Sequence, residues 1–288
     1  MSSPFIWLQH ALPQLGLTRF AGSIAASEKP WLRDRLIRRF VAAYDVDMAE
    51  AQKSLGEFAS FNDFFTRALK PGARPLADPA THVLCPADGA VSQLGRIEDG
   101  KILQAKGHLY TVSELLGGDE AMAERFRKGD FITIYLSPRD YHRVHMPVTG
   151  TLESTAYVPG DLFSVNTTTA AAVPGLFARN ERLVCRFDTD LGAVASVMVG
   201  AMIVAGIETV WGGRVEPPER GRGKRVVTEQ PSGPVQLAAG DEMGRFLLGS
   251  TVVLLFEEGQ VQFAPELQAG SVVRMGQEIA SKLHSASE

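Results

Sequence analysis

The sequence has little cysteine and no pattern that would pair its thiols. Cys85 and Cys185 stand far apart, in neither a metal-ligand nor a redox spacing. Both lie in apolar, strand-like sequence, so we expect them to be reduced, buried and structural, which suits a cytosolic compartment. Metal or redox chemistry based on cysteine is therefore not indicated.

Targeting and membrane-spanning patterns are also missing. The first eight residues carry no basic cluster ahead of an apolar stretch, so the pattern of a secretory signal is absent and we expect the chain to stay inside the cell. The longest nearly apolar stretch, residues 194–207, has about 14 residues with glycines among them, short of the roughly 20 that a membrane-spanning helix needs. This stretch is predicted to be buried strand.

Charge is unevenly placed along a chain of otherwise ordinary composition. Its 288 residues are 45% hydrophobic and 22% charged, as in a globular protein with a substantial core. Residues 1–43 hold six basic and two acidic side chains, a net of +4, so the remainder carries −4 minus 4, or −8. A basic N-terminal region on an acidic body indicates a protein that faces an anionic surface.

Residues 31–41 have the pattern of a basic amphipathic helix, with Pro30 where a first-turn proline is tolerated. One side of the helical projection holds Leu32, Leu36, Ile37 and Phe40, and the other holds Arg35, Arg38 and Arg39. Upstream, residues 5–20 form a second apolar stretch that could lie in a headgroup layer. Both segments could instead cover the core, because amphipathicity does not reveal what an apolar face contacts.

Two short helices are predicted next, each from a capping side chain followed three residues later by an acid. Asp47 precedes Glu50 in this way, and Ser60 precedes Asp63. The helical region ends near Leu69, because residues 70–75 contain two prolines and a glycine.

Beyond residue 75 the sequence predicts a mainly β body. Short runs of Val, Ile, Leu and Phe alternate with glycine, proline and acidic turns. Residues 112–128 are predicted to be helix, and residues 214–233 an exposed loop. We therefore expect an α+β protein, with a helical, membrane-associating region over residues 1–75 beside a β-rich catalytic domain over residues 76–288, arranged as a distorted sandwich or barrel.

The strand-like run at residues 246–253 is interrupted by Gly249 and Ser250. Small residues inside a strand usually reflect packing or a bend. A serine hydroxyl can also attack the preceding glycyl carbonyl when a nearby base takes its proton, and the peptide then becomes an ester. Elimination would release the upstream chain, and hydrolysis would leave a ketone on the new N-terminus. Glycine suits the upstream position because it tolerates the backbone distortion.

Two other segments could supply an acid and a base. Residues 135–147 contain His142 and His145 between two prolines, and residues 85–89 place Asp88 in a tight turn. Asp88, His145 and Ser250 could form an acid, base and nucleophile set, because such sets are defined by geometry and not by chain order. Histidines and aspartates in turns can equally be just hydrogen-bonded or solvated.

The sequence around these residues resembles one family, the pyruvoyl-dependent phosphatidylserine decarboxylase proenzymes of bacteria and mitochondria. Residues 248–251 (Leu-Gly-Ser-Thr) look like its self-cleavage motif, and residues 141–145 (Tyr-His-Arg-Val-His) and 86–89 (Pro-Ala-Asp-Gly) resemble its histidine and aspartate motifs. Further segments resemble family signatures in the right order, namely residues 61–67, 159–166, 176–182 and 199–201. The resemblance covers most of the chain. The family's body is similar to the barrel-sandwich folds of biotinyl and lipoyl carriers, so such a body is expected here.

The resemblance implies a proenzyme that cuts itself between Gly249 and Ser250. Cleavage would leave a β chain, residues 1–249, and an α chain, residues 250–288, of 288 minus 249, or 39, residues. Ser250 would become a pyruvoyl cofactor that forms a Schiff base with the amine of phosphatidylserine. By motif, Asp88 orients His145, His145 is the base for Ser250, and His142 serves in decarboxylation. The products would be phosphatidylethanolamine and carbon dioxide, and no metal is implied.

The implied substrate also bears on the N-terminal region. The enzyme must reach a lipid headgroup without spanning the bilayer, and basic amphipathic helices can lie on an anionic leaflet. Together with the missing signal, this leads us to expect a peripheral protein at the cytoplasmic face of the bacterial cell membrane. The helices could instead form the contact of a homodimer. No nucleic-acid partner is implied.

Two other interpretations stay open. A metal-dependent hydrolase would use His142, His145 and either Asp88 or Asp140 as ligands around an open position for water. That interpretation leaves Gly249 and Ser250 unexplained. An inactive membrane-binding protein would keep the fold and lose the chemistry, but the residues of the implied site are all present in the sequence.

Overall fold

A computed structural model of the chain describes residues 14–201, 206–215, 225–247 and 250–283. The helices in this part are α1 Gln14–Ala25, α2 Pro30–Tyr44, α3 Phe61–Phe65, α4 Val112–Leu115, α5 Glu120–Arg125, α6 Thr167–Ala170 and α7 Leu176–Arg179. The strands are β1 His82–Leu84, β2 Gly89–Arg96, β3 Lys101–Ala105, β4 His108–Thr111, β5 Asp130–Leu136, β6 Arg143–His145, β7 Gly150–Val158, β8 Arg182–Thr189, β9 Gly192–Val199, β10 Ile207–Thr209, β11 Gly213–Arg214, β12 Val227–Glu229, β13 Gln236–Leu237, β14 Glu242–Phe246, β15 Ser250–Phe256, β16 Val261–Phe263, β17 Val272–Val273 and β18 Glu278–Lys282.

Helix α2 confirms the helix predicted over residues 31–41. Pro30 stands in its first turn and Ile37 is buried on its inner side. The helix ends at Asp45, whose backbone is left-handed (φ 52°). The apolar stretch predicted over residues 5–20 lies partly in residues 1–13, outside the described part of the chain, and its remainder falls in α1.

Helix α3 begins at a capping serine, as predicted, because the Ser60 hydroxyl accepts a hydrogen bond from the backbone N–H of Asp63 at 3.1 Å. The helix predicted after Asp47 was wrong. The Asp47 carboxylate accepts from the backbone N–H of Ala49 at 2.8 Å, two residues on, and this bond closes a turn instead of capping a helix. The N-terminal segments share a small apolar core of Ala25, Ile37, Val46, Phe58, Phe61, Phe64 and Phe65.

The centre of the molecule is a nine-stranded sheet with the order β12-β7-β8-β9-β15-β5-β2-β17, in which β13 also pairs with β7. Its strand pairs are antiparallel. Strand β15 is buried on both faces. Val252 and Leu254 pack into one core and Val253 and Leu255 into the other. This two-sided burial explains why the strand is a continuous apolar run and not an alternating one.

Different layers cover the two faces of the large sheet. A four-stranded sheet (β11-β10-β14-β6) and a three-stranded sheet (β1-β18-β16) contribute to the first core. Helices α4 to α7 and the β3–β4 hairpin contribute to the second. The predicted α+β, sandwich-like body is confirmed, and within the described residues none of these sheets closes into a barrel. The division into residues 1–75 and 76–288 stays a prediction.

The helix predicted over residues 112–128 is two short helices, α4 and α5. Gly117 and Gly118 lie between them with φ of 78° and 91°, a backbone conformation that no α-helix contains. The apolar periodicity of this segment survives because both helices pack on the second core.

Two further predictions on the body are confirmed where the chain is described, whereas the exposed loop predicted over residues 214–233 lies outside the described part at residues 216–224 and holds strand β12. Cys85 and Cys185 are free and buried. The stretch at residues 194–207 forms most of β9 and the start of β10, although residues 202–205 lie outside the described part. No described helix has the length and apolarity needed to cross a membrane.

Candidate active site

Residue 250 lies where the chain passes from one sheet to another. Strand β14 belongs to the four-stranded sheet and ends at Phe246, and β15 begins at Ser250 in the middle of the large sheet. Ser250 pairs with Leu136 on β5, and the next residue pairs with Val199 on β9. Gly249 and the side chain of Ser250 lie outside the described part. The chain therefore changes from one sheet to the other between residues 247 and 250, where the strand-like run in the sequence is interrupted.

Asp88 reaches the same end of the large sheet from the other side of β5. Strand β2 begins one residue later at Gly89, and Ala90 pairs with Tyr135 of β5. A Cβ atom at position 89 would lie 2.3 Å from the carbonyl oxygen of Tyr135, so only glycine lets the turn approach β5 this closely. Because neighbouring strands are about 4.8 Å apart, the Asp88 turn and the backbone of Ser250 are separated by roughly 10 Å across β5.

The Asp88 carboxylate is held by a fixed set of donors. The guanidinium of Arg74 donates from Nε to Oδ1 at 2.9 Å and from Nη2 to Oδ2 at 2.5 Å, and Nη2 also donates to Glu50 at 2.8 Å. The backbone N–H of Met275 donates to Oδ1 at 2.9 Å. Burial opposes the charge of Arg74, but its hydrogen bonds to the two carboxylates outweigh that effect and raise its pKa. The Asp88 turn is thus tied to the segment that follows residue 250.

His145 lies on β6 with both ring nitrogens occupied. Its Nδ1 is 2.8 Å from the carbonyl oxygen of Gly240, which can only accept, so Nδ1 carries the proton. Its Nε2 is then unprotonated and accepts from the hydroxyl of Tyr141 at 3.0 Å. Burial lowers the pKa of His145, so the ring is neutral at neutral pH. The backbone N–H of His145 donates to Pro86 at 2.8 Å, which places this histidine beside the Asp88 turn.

His142 is fully buried under an aromatic ring. Its imidazole stacks on Phe65 with 4.0 Å between ring centroids, and its Nε2 lies 3.4 Å from the carbonyl oxygen of Pro138. Nδ1 has no hydrogen-bond partner among the described residues. Burial, together with the nearby charge of Arg67, lowers the pKa of His142 to about 3. Its carbonyl oxygen accepts from the N–H of Phe246, four residues before Ser250.

The structure therefore brings the predicted site residues to one end of β5. Asp88, His142 and His145 gather there with the backbone of Ser250. Among the described contacts no hydrogen bond joins Asp88 to His145. The ring of His145 is oriented by Tyr141 and Gly240, and the orienting role of Asp88 stays a prediction.

A buried asparagine joins three of the signature segments on the β9 side of residue 250. The Nδ2 of Asn180 donates to the carbonyl oxygens of Phe163 at 2.8 Å and Gly200 at 2.9 Å. Its Oδ1 accepts from the N–H of Phe163 at 3.1 Å. The segments at residues 159–166, 176–182 and 199–201 thus form one hydrogen-bonded wall next to the start of β15.

Sequence reasoning missed several groups that build the site. Arg74, Tyr141, Gly240 and Phe65 each contact one of the three acid–base side chains directly. Tyr141 and Phe65 stand inside the motifs that carried the resemblance, so their sequence signal was available. The backbone carbonyl of Gly240, 95 residues away in the sequence, hydrogen-bonds to the ring of His145. A contact to a backbone carbonyl leaves no side-chain pattern in the sequence from which it could be predicted.

The rival arrangement of metal ligands does not converge. Among the residues that the structure describes, no group of three or more histidine, cysteine or acidic side chains could hold a metal ion. The Asp140 carboxylate accepts from the backbone N–H of Ser137 at 2.7 Å, and Asp88 is paired with Arg74. The metal-hydrolase interpretation is therefore not supported by the geometry of its proposed ligands.

Comparison with known proteins gives a consistent family. The profile described as phosphatidylserine decarboxylase matches residues 61–281, and a second one described as PSD matches residues 4–45. Curated relatives named phosphatidylserine decarboxylase proenzyme include those of Pseudomonas aeruginosa strain PAO1, 58% identical over 96% of both chains, and Ectopseudomonas mendocina strain ymp, 57% identical over 95% of this chain and 96% of the relative. A relative of the same name from Acidovorax ebreus is 58% identical over 95% of this chain. A chain with this site, matched over nearly its whole length, belongs to the phosphatidylserine decarboxylase family.

Proposed function

We propose that this protein is a proenzyme that cuts itself between Gly249 and Ser250 and then decarboxylates phosphatidylserine to phosphatidylethanolamine. The gathering of two neutral histidines and Asp88 around the start of β15 is the observation that carries the proposal. The family of the chain and the names of its relatives support it.

Self-cleavage needs a hydroxyl, a base and a strained or unhindered carbonyl. The hydroxyl of Ser250 attacks the carbonyl carbon of Gly249, and its proton passes to the unprotonated Nε2 of His145, which the hydroxyl of Tyr141 must release for this step. The peptide bond becomes an ester with a free amine at residue 250. Loss of the α-proton of residue 250 then breaks the Cβ–O bond and releases the carboxylate of Gly249. Water hydrolyses the remaining enamine, and ammonia leaves.

Strand β15, which follows the proposed cleavage site, can hold a reactive group at residue 250 in a fixed position. Strand β15 has hydrogen-bonded neighbours on both sides, β5 and β9, so the new N-terminus stays anchored after the upstream chain is released. The pyruvoyl carbonyl formed there supplies a sink for the two electrons that carbon dioxide leaves behind. In this proposal the chain contributes the position of that group and the nearby acid–base residues.

His142 is proposed to protonate the former α-carbon of the substrate. Its ring is neutral because burial lowers its pKa to about 3. A substrate that brings a phosphate and a carboxylate next to the ring opposes this effect, because nearby negative charge favours the imidazolium. His142 is thus able to take up a proton when substrate enters and to give it back at carbon.

Intact mass measurement tests the proposal most simply. We expect wild-type protein to give two chains, residues 1–249 and a blocked chain of 39 residues that starts at position 250. The two masses together should fall short of the sum for simple hydrolysis by the mass of one ammonia, because the small chain begins with a ketone where hydrolysis would leave the amine of Ser250. Ser250→Ala should remain whole, and Ser281→Ala, a matched change on β18, should cleave like wild type. A single uncut chain with full decarboxylase activity would contradict the proposal.

We also propose that the N-terminal helices dock the protein on an anionic membrane surface, at the cytoplasmic face of the cell membrane. Phe20 and Trp31 are about two-thirds exposed, at 67% and 68%. Beside Trp31, helix α2 borders an apolar groove of about 520 Å³, with Arg35 and Arg39 among its lining residues. Exposed aromatic side chains next to arginines are typical of interfacial helices.

Vesicle flotation in the Ser250→Ala background, where lipid is not consumed, tests this docking. Replacing Arg35, Arg38 and Arg39 by Gln should weaken binding to phosphatidylserine vesicles by about 100-fold, at roughly 1 kcal/mol per arginine. The same change at Arg96, Arg127 and Lys128 on the body is the control and should have little effect. If wild type ignores anionic vesicles, and light scattering shows that the helix variant turns a dimer into a monomer, the helices form a homodimer contact instead.

A further inference from the structure

The segment at residues 61–67 clamps the loop that carries His142. The Nη2 of Arg67 donates to the carbonyl oxygens of Arg139 at 2.9 Å and Asp140 at 3.3 Å. In the opposite direction, the Nε of Arg143 donates to the carbonyl oxygen of Thr66 at 2.9 Å. These hydrogen bonds hold the backbone on both sides of His142. The position of the His142 ring therefore depends on the segment at residues 61–67.

Phe65 is the part of the clamp that contacts the imidazole itself. Its ring lies nearly parallel to that of His142, with 19° between the planes and 4.0 Å between the centroids. The polar contacts of the His142 ring are few: its Nε2 lies 3.4 Å from the carbonyl oxygen of Pro138, the ring also contacts the backbone of Ser137, and Nδ1 has no hydrogen-bond partner among the described residues. A ring with so few polar partners is oriented mainly by the surface on which it is stacked.

Phe65 is itself held by the N-terminal aromatic core. Its ring lies 5.8 Å from that of Phe40 on α2 and 6.1 Å from that of Phe61, in edge-on and tilted arrangements. Phe58 belongs to the same core and packs edge-on against Phe64 at 5.5 Å. Phe65 and Phe58 are equally buried, at 1% exposure, and among the described ring contacts only Phe65 touches His142.

We propose that Phe65 is a positioning residue for decarboxylation, because its ring holds the imidazole of His142 in the plane from which it transfers a proton to substrate, whereas self-cleavage does not need it. This proposal rests on the assignment of decarboxylation to His142. His145, the proposed base of cleavage, has its own supports in Tyr141 and Gly240 and makes no described ring contact with Phe65. Different groups therefore orient the two histidines: Phe65 contacts the ring of His142, and Tyr141 and Gly240 contact the ring of His145.

The test compares Phe65→Leu with Phe58→Leu in the full-length protein. Both changes remove the same ring from a fully buried position in one core, so they cost similar stability. Three quantities are measured in each: the fraction cleaved by intact mass, and kcat and KM for a short-chain phosphatidylserine kept below its micelle concentration. Soluble substrate removes membrane docking from the comparison. The charge state of His142 is followed by NMR of ring-labelled histidine, assigned with His142→Gln.

We expect Phe65→Leu to cleave fully and to lose about 10-fold or more in kcat with little change in KM, since small misplacements of a reacting group are costly. Phe58→Leu should keep kcat within about 2-fold by the same reasoning. The His142 ring signals should move in Phe65→Leu and stay in place in Phe58→Leu. If Phe65→Leu does not fold, Phe65→Met, which fills the gap without a ring, is judged by the same criteria.

Two results would overturn the proposal. Equal kcat values in the two variants would show that the ring of Phe65 only fills space, and loss of cleavage in Phe65→Leu alone would show that it is not specific to His142. A failure of the proposed function looks different, because wild-type protein would then neither cut itself nor release carbon dioxide.

Discussion

His142 and His145 lie three residues apart and have opposite surroundings. The ring of His145 has hydrogen-bond partners on both nitrogens, from a tyrosine hydroxyl and a backbone carbonyl. The ring of His142 has only backbone polar contacts, at Pro138 and Ser137, and an unpartnered Nδ1 within the described part, and it is stacked on Phe65. Burial lowers the pKa of both rings, and for His142 the value falls to about 3.

This difference explains how one short segment, residues 142–145, can serve the two proposed reactions. A ring with a fixed tautomer and an oriented lone pair suits a base that acts once on the chain's own serine. A ring with a free nitrogen and no firm partner is able to bind a proton when an anionic substrate arrives. Chain proximity brings both to the end of β5, while their partners come from different parts of the molecule.

The largest effect expected from this comparison concerns His145. His145→Gln should slow self-cleavage by at least about 100-fold, because it removes the proton acceptor of Ser250. His142→Gln, made in the same strand region, should cleave at nearly the wild-type rate. Densitometry of the cut fraction with time after synthesis measures both. If self-cleavage slows equally in the two variants, the assignment of the cleavage base to His145 alone is contradicted.

A smaller effect is expected at Tyr141, the partner of Nε2 on His145. Tyr141→Phe keeps the ring and removes the hydroxyl that fixes the lone pair, so cleavage should slow by about 10-fold. The same time course of the cut fraction measures it. A rate that stays the same or rises would mean that the hydroxyl only occupies the lone pair and competes with Ser250.

The smallest effect is on stability. In the folded protein the pKa values of both histidines lie below the ordinary value. As the pH falls, the unfolded chain therefore binds protons at these rings before the folded protein does. For His142 this stabilisation is complete above about pH 6.5 and is lost as the pH falls from there toward 3, by about 1.4 kcal/mol per pH unit, and His145 changes in the same direction. Urea unfolding of Ser250→Ala at pH 7.5 and 5.5 should show this loss.

His142→Gln in the same background should remove the share of His142, about 1.4 kcal/mol per pH unit, from the pH dependence between pH 6.5 and 5. The carboxylates with lowered pKa values, such as Glu50 and Asp63, protonate at lower pH and do not enter this window. An unchanged slope would mean that the ring of His142 is solvated in solution.

The sequence was sufficient for several local features and insufficient for the contacts that support the candidate site residues. Pro30 and Ser60 start helices α2 and α3 through their own chemistry, which a local pattern reveals. Asp47 has the same pattern and closes a turn, because its hydrogen bond goes to the nearer N–H of Ala49. Local patterns do not decide between such neighbouring partners.

The supports of the site depend on long-range register. Arg74 donates hydrogen bonds to Asp88 and Glu50, and the carbonyl oxygen of Gly240 accepts one from His145. These contacts form only because segments that are distant in the sequence meet at the end of β5. The sequence likewise showed an interruption in the run at residues 246–253, but it did not show that β14 and β15 belong to different sheets. Pairing of this kind is fixed by the whole sheet and has no signature in a single segment.

The most direct test of the account is the decarboxylase turnover of His142→Gln after its cleavage has been verified by intact mass. We predict a protein that is cut into residues 1–249 and 250–288, carries a ketone-blocked small chain, and releases carbon dioxide at least about 100-fold more slowly than wild type. A fully cut His142→Gln protein with wild-type turnover would contradict the account.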